Sequence, residues 1–402
     1  GAENAYPGIA SSFSDSVPLL LLPLGHPRER AGIAPHYSSL KGYDDITKAI
    51  EQVNAPNRTS DIMRRSFAGL RQGRGGPMAF EIPADIALEG VSEESFYYVP
   101  SRPVASQGNP GDIEAAAKAL CASHYPVIMA GQGLLYAKAT DELVELAELL
   151  QAPVCSTLLG KSAFPEVHPL ALGSTGPTMS GHAYHFIRRA DLIFGIGTSF
   201  TKHGMVMNIP SGKTLIQATN DASDINKDYN VDIGLPGDAR LTIEMLIEEV
   251  KAQIGEQGRR GQTTVAAEIA VIRQQWMAEW TDVLKSDEQP INTYRVIGEI
   301  ERNLDKSKSI VTHDAGAPRD SILPFYTATT PHGYIGWGKT THLGFGIPLM
   351  IGAKMAFPDR FCLNLMGDGA FGMSGLDIET SVRAGAPITT VVLNNGGMAT
   401  YP

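Results

Sequence analysis

Two short stretches carry residue types and a spacing that could do chemistry. One is Met366-Gly367-Asp368-Gly369-Ala370-Phe371; the other is Leu393-Asn394-Asn395-Gly396-Gly397. Residues 370 to 393, 24 in all, separate Gly369 from Asn394. An Asp carboxylate and an Asn amide oxygen are hard oxygen donors. They suit Mg²⁺, which keeps near-octahedral geometry and readily takes phosphate oxygens as further ligands. The glycines let the backbone approach a bulky anion closely.

The elements around these residues must place them together. Phe361 to Met366 reads as a buried strand, followed by a Gly367-Asp368-Gly369 loop. A helix is expected from about Ser374 to Ala384, then a strand from Ile388 to Leu393. A strand–helix–strand crossover makes the two strands parallel. Asp368 and Asn395 then sit at the carboxyl ends of parallel strands, where open α/β sheets bind ligands. Two ordinary loops of an α/β domain are the alternative.

The paired motifs resemble the signature of the thiamine diphosphate enzymes: Gly-Asp-Gly, a gap in the mid-twenties, then Asn-Asn. The resemblance implies thiamine diphosphate and Mg²⁺ as cofactors, with the metal on Asp368, Asn395 and the carbonyl of Gly397. Gly367, Gly369, Ala370 and Met398 join these three as cofactor contacts. In the segment Leu343-Gly344-Phe345-Gly346-Ile347-Pro348, Leu343 takes the place where the family commonly has a Met that bends the cofactor; plain core is its other reading. The family's activating Glu belongs to a segment before residue 1, so no catalytic residue is expected in this chain. The family builds each site from two subunits, which implies a homodimer or homotetramer.

Other stretches extend the resemblance to the acetolactate synthase-like branch. Asp15-Ser16-Val17-Pro18, Gly25-His26-Pro27 and Gly76-Pro77 with Ile82-Pro83-Ala84-Asp85 match its pyrimidine-binding domain. Ala130-Gly131-Gln132-Gly133, His168-Pro169-Leu170 with Gly173, and Ala190-Asp191-Leu192-Ile193 match its Rossmann-like middle domain. The implied activity is decarboxylation of a 2-oxo acid such as pyruvate, with carboligation. A 2-oxo acid decarboxylase, an acyl-CoA lyase and a non-catalytic cofactor-binding paralogue are the alternatives. Two departures matter. The family's Gly-Gln-His diphosphate loop is Gly316-Ala317-Pro318-Arg319 here. Its Arg-containing flavin segment is Ser199-Phe200-Thr201-Lys202-His203, which predicts weak FAD binding or none.

The fold class expected is α/β, with three Rossmann-like parallel-sheet domains, the first and last incomplete. Their spans are residues 1–95, 105–255 and 288–402. In the first, Asn4 to Ser16 reads as helix, Val17 to Leu24 as strand, Arg58 to Arg71 as helix and Met78 to Ile82 as strand. A linker covers 91–111. The middle stretch alternates strands (Pro126 to Ala130, Pro153 to Leu159, Ala190 to Ile196, Lys213 to Ala218) with helices (Ile113 to Ala122, Asp141 to Leu150, Asp238 to Val250), the pattern of a parallel sheet flanked by helices. Gly131-x-Gly133 and Gly195-x-Gly197 follow strands, but neither completes GxGxxG, and tight turns are favoured over a nucleotide-dependent dehydrogenase. A second linker, Gly255 to Thr264, leads to a long helix, Val265 to Lys285, whose Trp276 and Trp280 read as packing. The helix Tyr294 to Leu304 and strand Ser309 to Thr312 follow.

Composition sets limits. Of 402 residues, 43% are apolar and 19% charged, ordinary for a globular protein. The net charge of −10 argues against a nucleic-acid surface. Cys121, Cys155 and Cys362 lie in apolar segments and form no CxxC, which fits reduced thiols in a cytoplasmic protein. There is no membrane-length apolar run. Residue 1 is Gly, and Tyr401-Pro402 follows closely on the Asn-Asn loop, so the sequence reads as part of a longer polypeptide, inactive by itself. His182, His185 and His203 have no partner spacing for zinc; His26, His313 and His342 are candidate pocket residues.

Overall fold

The computed structural model describes residues 1–95, 97–204 and 207–397. Among these residues there are three sheets, and every strand pairing in them is parallel. The chain divides into two compact units, residues 1–105 with 338–342, and 106–337 with 343–402.

In the first unit, β1 (Leu19–Leu21) and β2 (Leu24–Gly25) lie along one side of β4 (Pro77–Pro83), and β3 (Ala49–Gln52) lies along the other. The strand expected from Val17 to Leu24 is therefore broken at Leu22-Pro23. Proline has no N–H to give the ladder; its carbonyl accepts Ile82 N–H at 3.0 Å and carries the pairing across the break. Val53, Ile62, Phe80 and Ile86 form the core. The buried carboxylate of Asp15 accepts from the N–H groups of Gly338 and Lys339, at 3.2 and 3.3 Å.

In the second unit, β5 (Pro126–Ala130), β6 (Val154–Thr157), β7 (Ala171–Thr175), β8 (Leu192–Ile196), β9 (Thr214–Thr219) and β10 (Ile233–Pro236) form one sheet in the order β10-β9-β8-β5-β6-β7. This is the doubly wound order, with its reversal between β5 and β8. The strands β5 and β8 are buried along their whole length, as their unbroken apolar runs require. β7 and β10 were not foreseen, because Gly, Ser, Thr and Pro dilute their apolar signal. The helix Gly181–Arg189 was also unforeseen; it is capped by Ser180, which accepts the N–H of Ala183.

The other sheet of this unit has the order β12-β11-β13-β14, with β11 (Ser309–His313), β12 (Tyr334–Ile335), β13 (Phe361–Gly367) and β14 (Thr389–Leu393). The helix Thr264–Trp280 is shorter than expected, and a single tight turn, Val283–Lys285, follows it. Trp276 stacks on Phe325 at 5.1 Å, and Trp280 meets Phe325 edge-on at 5.0 Å, so this pair is packing. Between the two sheets, Glu166 and Ala328 exchange hydrogen bonds: Glu166 N–H donates to Ala328 O at 2.9 Å, and Ala328 N–H to Glu166 Oε2 at 2.7 Å.

Candidate functional site

β13 is an interior strand whose Leu363, Leu365 and Met366 are buried. It ends at Gly367, and the next residue already begins a helix. The expected Gly367–Gly369 loop is thus corrected, as is the helix from Ser374 to Ala384: Asp368–Ser374 is helical, Gly375–Asp377 is a tight turn, and Ile378–Arg383 is a second short helix. Two glycines masked the helix start through their low propensity. Asp368 in the first turn favours it, since a carboxylate there meets the positive end of the helix dipole.

Gly367 has an ordinary extended backbone, φ −84° and ψ 160°. A Cβ built there would meet nothing within 4 Å. Neither conformation nor packing inside this chain demands glycine at 367, and its lack of a side chain leaves the approach to Asp368 open. Gly369 and Asp368 are half-buried, whereas Ala370 is buried beneath them.

β14 pairs with β13 so that Leu393 lies opposite Gly367. Asp368 and Asn394 are therefore the first residues beyond the paired ends of neighbouring strands, and Asn395 follows. Each Asn closes a turn on itself: Asn394 Oδ1 accepts Gly396 N–H at 3.1 Å, and Asn395 Oδ1 accepts Gly397 N–H at 3.2 Å. Gly396 has φ +72°, which glycine adopts without strain. An amide oxygen has two acceptor sites, so Asn395 keeps one for a cation. All four residues from 394 to 397 are exposed. Met398 lies outside the described residues. No cluster of three or more His, Cys, Asp or Glu forms among the described residues. The expected set, one carboxylate with amide and carbonyl oxygens, is of a different composition.

Leu343 is half-buried against the apolar cluster of Ile347, Ile351, Met366, Ala370 and Ala386. That places it beside the first turn of the helix at Asp368. Gly344, at φ +86°, is packed so closely that a Cβ would lie 3.0 Å from Ser374 and 3.3 Å from Ala370 O. A Cβ on Gly346 would run into the amide of Asn364, which is wholly buried on β13. Sequence reasoning missed the residue that fastens this loop. Asp314, fully buried after β11, accepts from Ala315 N–H at 2.8 Å and from Gly344 and Gly346 N–H at 3.0 Å each. An acidic residue straight after an apolar strand, ahead of a glycine, was the available signal.

The histidines separate. His313 is no pocket residue: it is fully buried, with its ring stacked 5.4 Å from Trp337 and 5.9 Å from Tyr334. Burial, with Arg319 adding, pushes its pKa down to about 3. His26 is exposed and 4.5 Å from the His36 ring, and His342 is half-buried. His182 is buried beside Ser180 Oγ at 3.2 Å, with its pKa pushed down to about 4 by burial and, secondarily, by Arg273. In the Gly316-Ala317-Pro318-Arg319 segment, Arg319 is buried and pairs with Asp320 at 2.8 Å.

At the strand reversal of the middle sheet, the two glycine turns bond to each other. Gly131 N–H donates to Ile196 O at 2.8 Å and Gly133 N–H to Gly197 O at 3.0 Å. A Cβ on Gly131 would collide with Gly197. These glycines are there for turn-on-turn packing. Lys202 lies 4.5 Å over the Tyr229 ring, and no Arg stands between residues 198 and 204.

Comparison with known proteins agrees with this geometry. Residues 113–246 match the family described as thiamine pyrophosphate enzyme, central domain, and residues 314–401 the C-terminal thiamine pyrophosphate-binding domain. A probable acetolactate synthase large subunit of Methanococcus aeolicus is 28% identical over 98% of this chain and 68% of its own length. The acetolactate synthase isozyme 3 large subunit of Escherichia coli is 29% identical over 98% of this chain and 69% of its own. A sulfoacetaldehyde acetyltransferase of Alcaligenes xylosoxydans is 27% identical over 98% and 69%. With three parallel α/β sheets, paired glycine–acid and Asn-Asn motifs on adjacent strand ends, and these matches, the chain belongs to the thiamine pyrophosphate enzyme family.

Proposed function

We propose that the protein is a Mg²⁺- and thiamine diphosphate-dependent transferase or lyase that decarboxylates a 2-oxo acid such as pyruvate and passes the two-carbon unit to an acceptor. The observation that carries this is the placing of Asp368 and Asn394-Asn395 directly past Gly367 and Leu393, opposite each other on neighbouring strands. Asp368, Asn395 and the carbonyl of Gly397 would hold Mg²⁺. Main-chain donors near Gly369 and Ala370 would meet the diphosphate, with the space over Gly367 leaving room for it. Leu343 would bear on the cofactor from the apolar side. When bound, thiamine diphosphate supplies a carbon nucleophile and an electron sink.

Supporting the acyl-transfer reading are the relatives' names, which include both synthases and an acetyltransferase. Sharing of each site between two subunits makes the working form a homodimer or homotetramer. The three domains span residues 1–95, 105–255 and 288–402. FAD binds weakly or not at all: the N–H groups of Gly131, Gly133 and Gly197 are spent on the carbonyls of Ile196, Gly197 and Ala218, and Lys202 cannot reproduce an Arg fork. No helix among the described residues is long and apolar enough to cross a membrane; a cytoplasmic enzyme remains our reading.

The test is calorimetric titration of the full-length protein with thiamine diphosphate, with and without Mg²⁺, followed by CO₂ release from a panel of 2-oxo acids. Mg²⁺-dependent binding with CO₂ release is expected. Absence of binding overturns the reading, and binding without turnover on any 2-oxo acid supports the non-catalytic alternative.

A further inference from the structure

We infer that Asp314 is a positioning residue that sets Leu343 against the helix beginning at Asp368, and thereby the shape in which thiamine diphosphate is held; the inference rests on the function proposed above. Asp314 is wholly buried. An interior carboxylate is costly to desolvate and persists only where hydrogen bonds answer it. Here three main-chain donors do so. Two of them, Gly344 and Gly346, belong to the loop that carries Leu343. Hydrogen bonds to an ionised acceptor are roughly twice as strong as neutral ones.

The same residue is tied to the cofactor edge from its other side. The N–H of Asp314 donates to Leu365 O at 2.7 Å, two residues before Gly367. One residue thus fastens the Leu343 loop to the strand that ends at Asp368. Gly344 seats that loop against Ala370 and Ser374. Leu343, the residue just before the gripped N–H of Gly344, packs against the cluster that includes Ala370 and Met366, and this grip fixes the backbone from which it does so.

Asp314→Asn keeps the size and one acceptor oxygen, and turns an NH₂ group toward a main-chain N–H. The full-length protein and its Asp314→Asn, Leu343→Ala and doubly substituted forms would be titrated with thiamine diphosphate in Mg²⁺, and separately with inorganic diphosphate in Mg²⁺. Asp314→Asn is expected to weaken thiamine diphosphate roughly tenfold or more, the worth of one charge-assisted hydrogen bond. Its inorganic diphosphate affinity should change by less than about twofold, since that ligand reads only the Asp368 end. The double variant should be little worse than the weaker single variant, because both act through one contact.

Equal loss of both ligands in Asp314→Asn would mean general damage and overturn the inference, as would unchanged thiamine diphosphate affinity. Should Asp314→Asn fail to fold, Leu343→Ala decides: it must lower thiamine diphosphate affinity and spare inorganic diphosphate, or the inference falls. Failure of the unaltered protein to bind thiamine diphosphate would overturn the proposed function itself.

Discussion

The ammonium of Lys161 lies 2.7 and 2.8 Å from the two carboxylate oxygens of Glu166, and neither side chain is more than 8% exposed. The carboxylate also accepts the N–H of Ala328, in the segment that precedes β12. Lys161→Met removes the charge and leaves Glu166 buried with only its main-chain and Ser174 donors. Breaking a buried pair from one side costs about 3–5 kcal/mol. Urea denaturation should show a loss of this order, with part of it recovered when Glu166 is also made Gln. A loss under about 1 kcal/mol, the range of exposed pairs, would show that water reaches the pair.

Asp368→Ala should abolish Mg²⁺-dependent binding of thiamine diphosphate. It removes the single carboxylate of the proposed ligand set and leaves the diphosphate charge less neutralised. Calorimetry showing unchanged affinity would remove Asp368 from the metal site.

Gly346→Ala should destabilise the protein by about 1–3 kcal/mol, the usual cost of overpacking a filled interior. The new methyl would collide with Oδ1 of the wholly buried Asn364, whose side chain would have to shift. Denaturant midpoints at unchanged slope would report it. An unaltered midpoint would mean that Asn364 moves freely.

Stability should fall as pH drops below about 6.5, before most carboxylates titrate. His313 and His182 have folded pKa values pushed down to about 3 and about 4, against 6.5 when unperturbed. Below 6.5 the unfolded chain takes up protons that the folded chain refuses. The stability they contribute is therefore complete above 6.5 and is lost as pH falls through the window, at roughly 1.4 kcal/mol per pH unit for each histidine. Burial also lowers the pKa of His332, which adds to the effect in the same direction; melting at pH 7, 6 and 5 would show this slope, and His182→Gln should reduce it in part in that range. A slope unaffected by the substitution would assign the pH dependence elsewhere.

Freshly purified full-length protein should show no stoichiometric flavin band in its absorption spectrum after gel filtration. A band that survives would mean that contacts other than an Arg fork hold the nucleotide.

Elements buried on both faces were legible because their apolar runs are unbroken: β5 was read to the residue, and β8 and β13 nearly so. β3 was missed because Ala49-Ile50-Glu51-Gln52 is short and half-buried, with one strongly apolar residue. The helix at Asp368 was missed for a different reason. Its propensity is poor, and its place is set by the strand before it and by the segment of Leu343 and Gly344 packing against it. The loop N–H groups that Asp314 holds are 30 and 32 residues away, so its role is a property of the fold and not of any window of sequence. His313 shows the converse error. A histidine ending a strand looks available until Trp337 and Tyr334 are seen to cover it.

That every strand pairing among the described residues is parallel bears on how the chain acquires its shape. Neighbouring strands cannot zip from a tight hairpin; each pairing waits for a crossover segment to form and dock. In the middle sheet, β5 must also pair with β8, whose residues lie more than sixty positions further along. Loop closure of that kind is slow and leaves apolar strands uncovered meanwhile. Refolding from denaturant should accordingly be slow and concentration-sensitive, with yield improved by dilution.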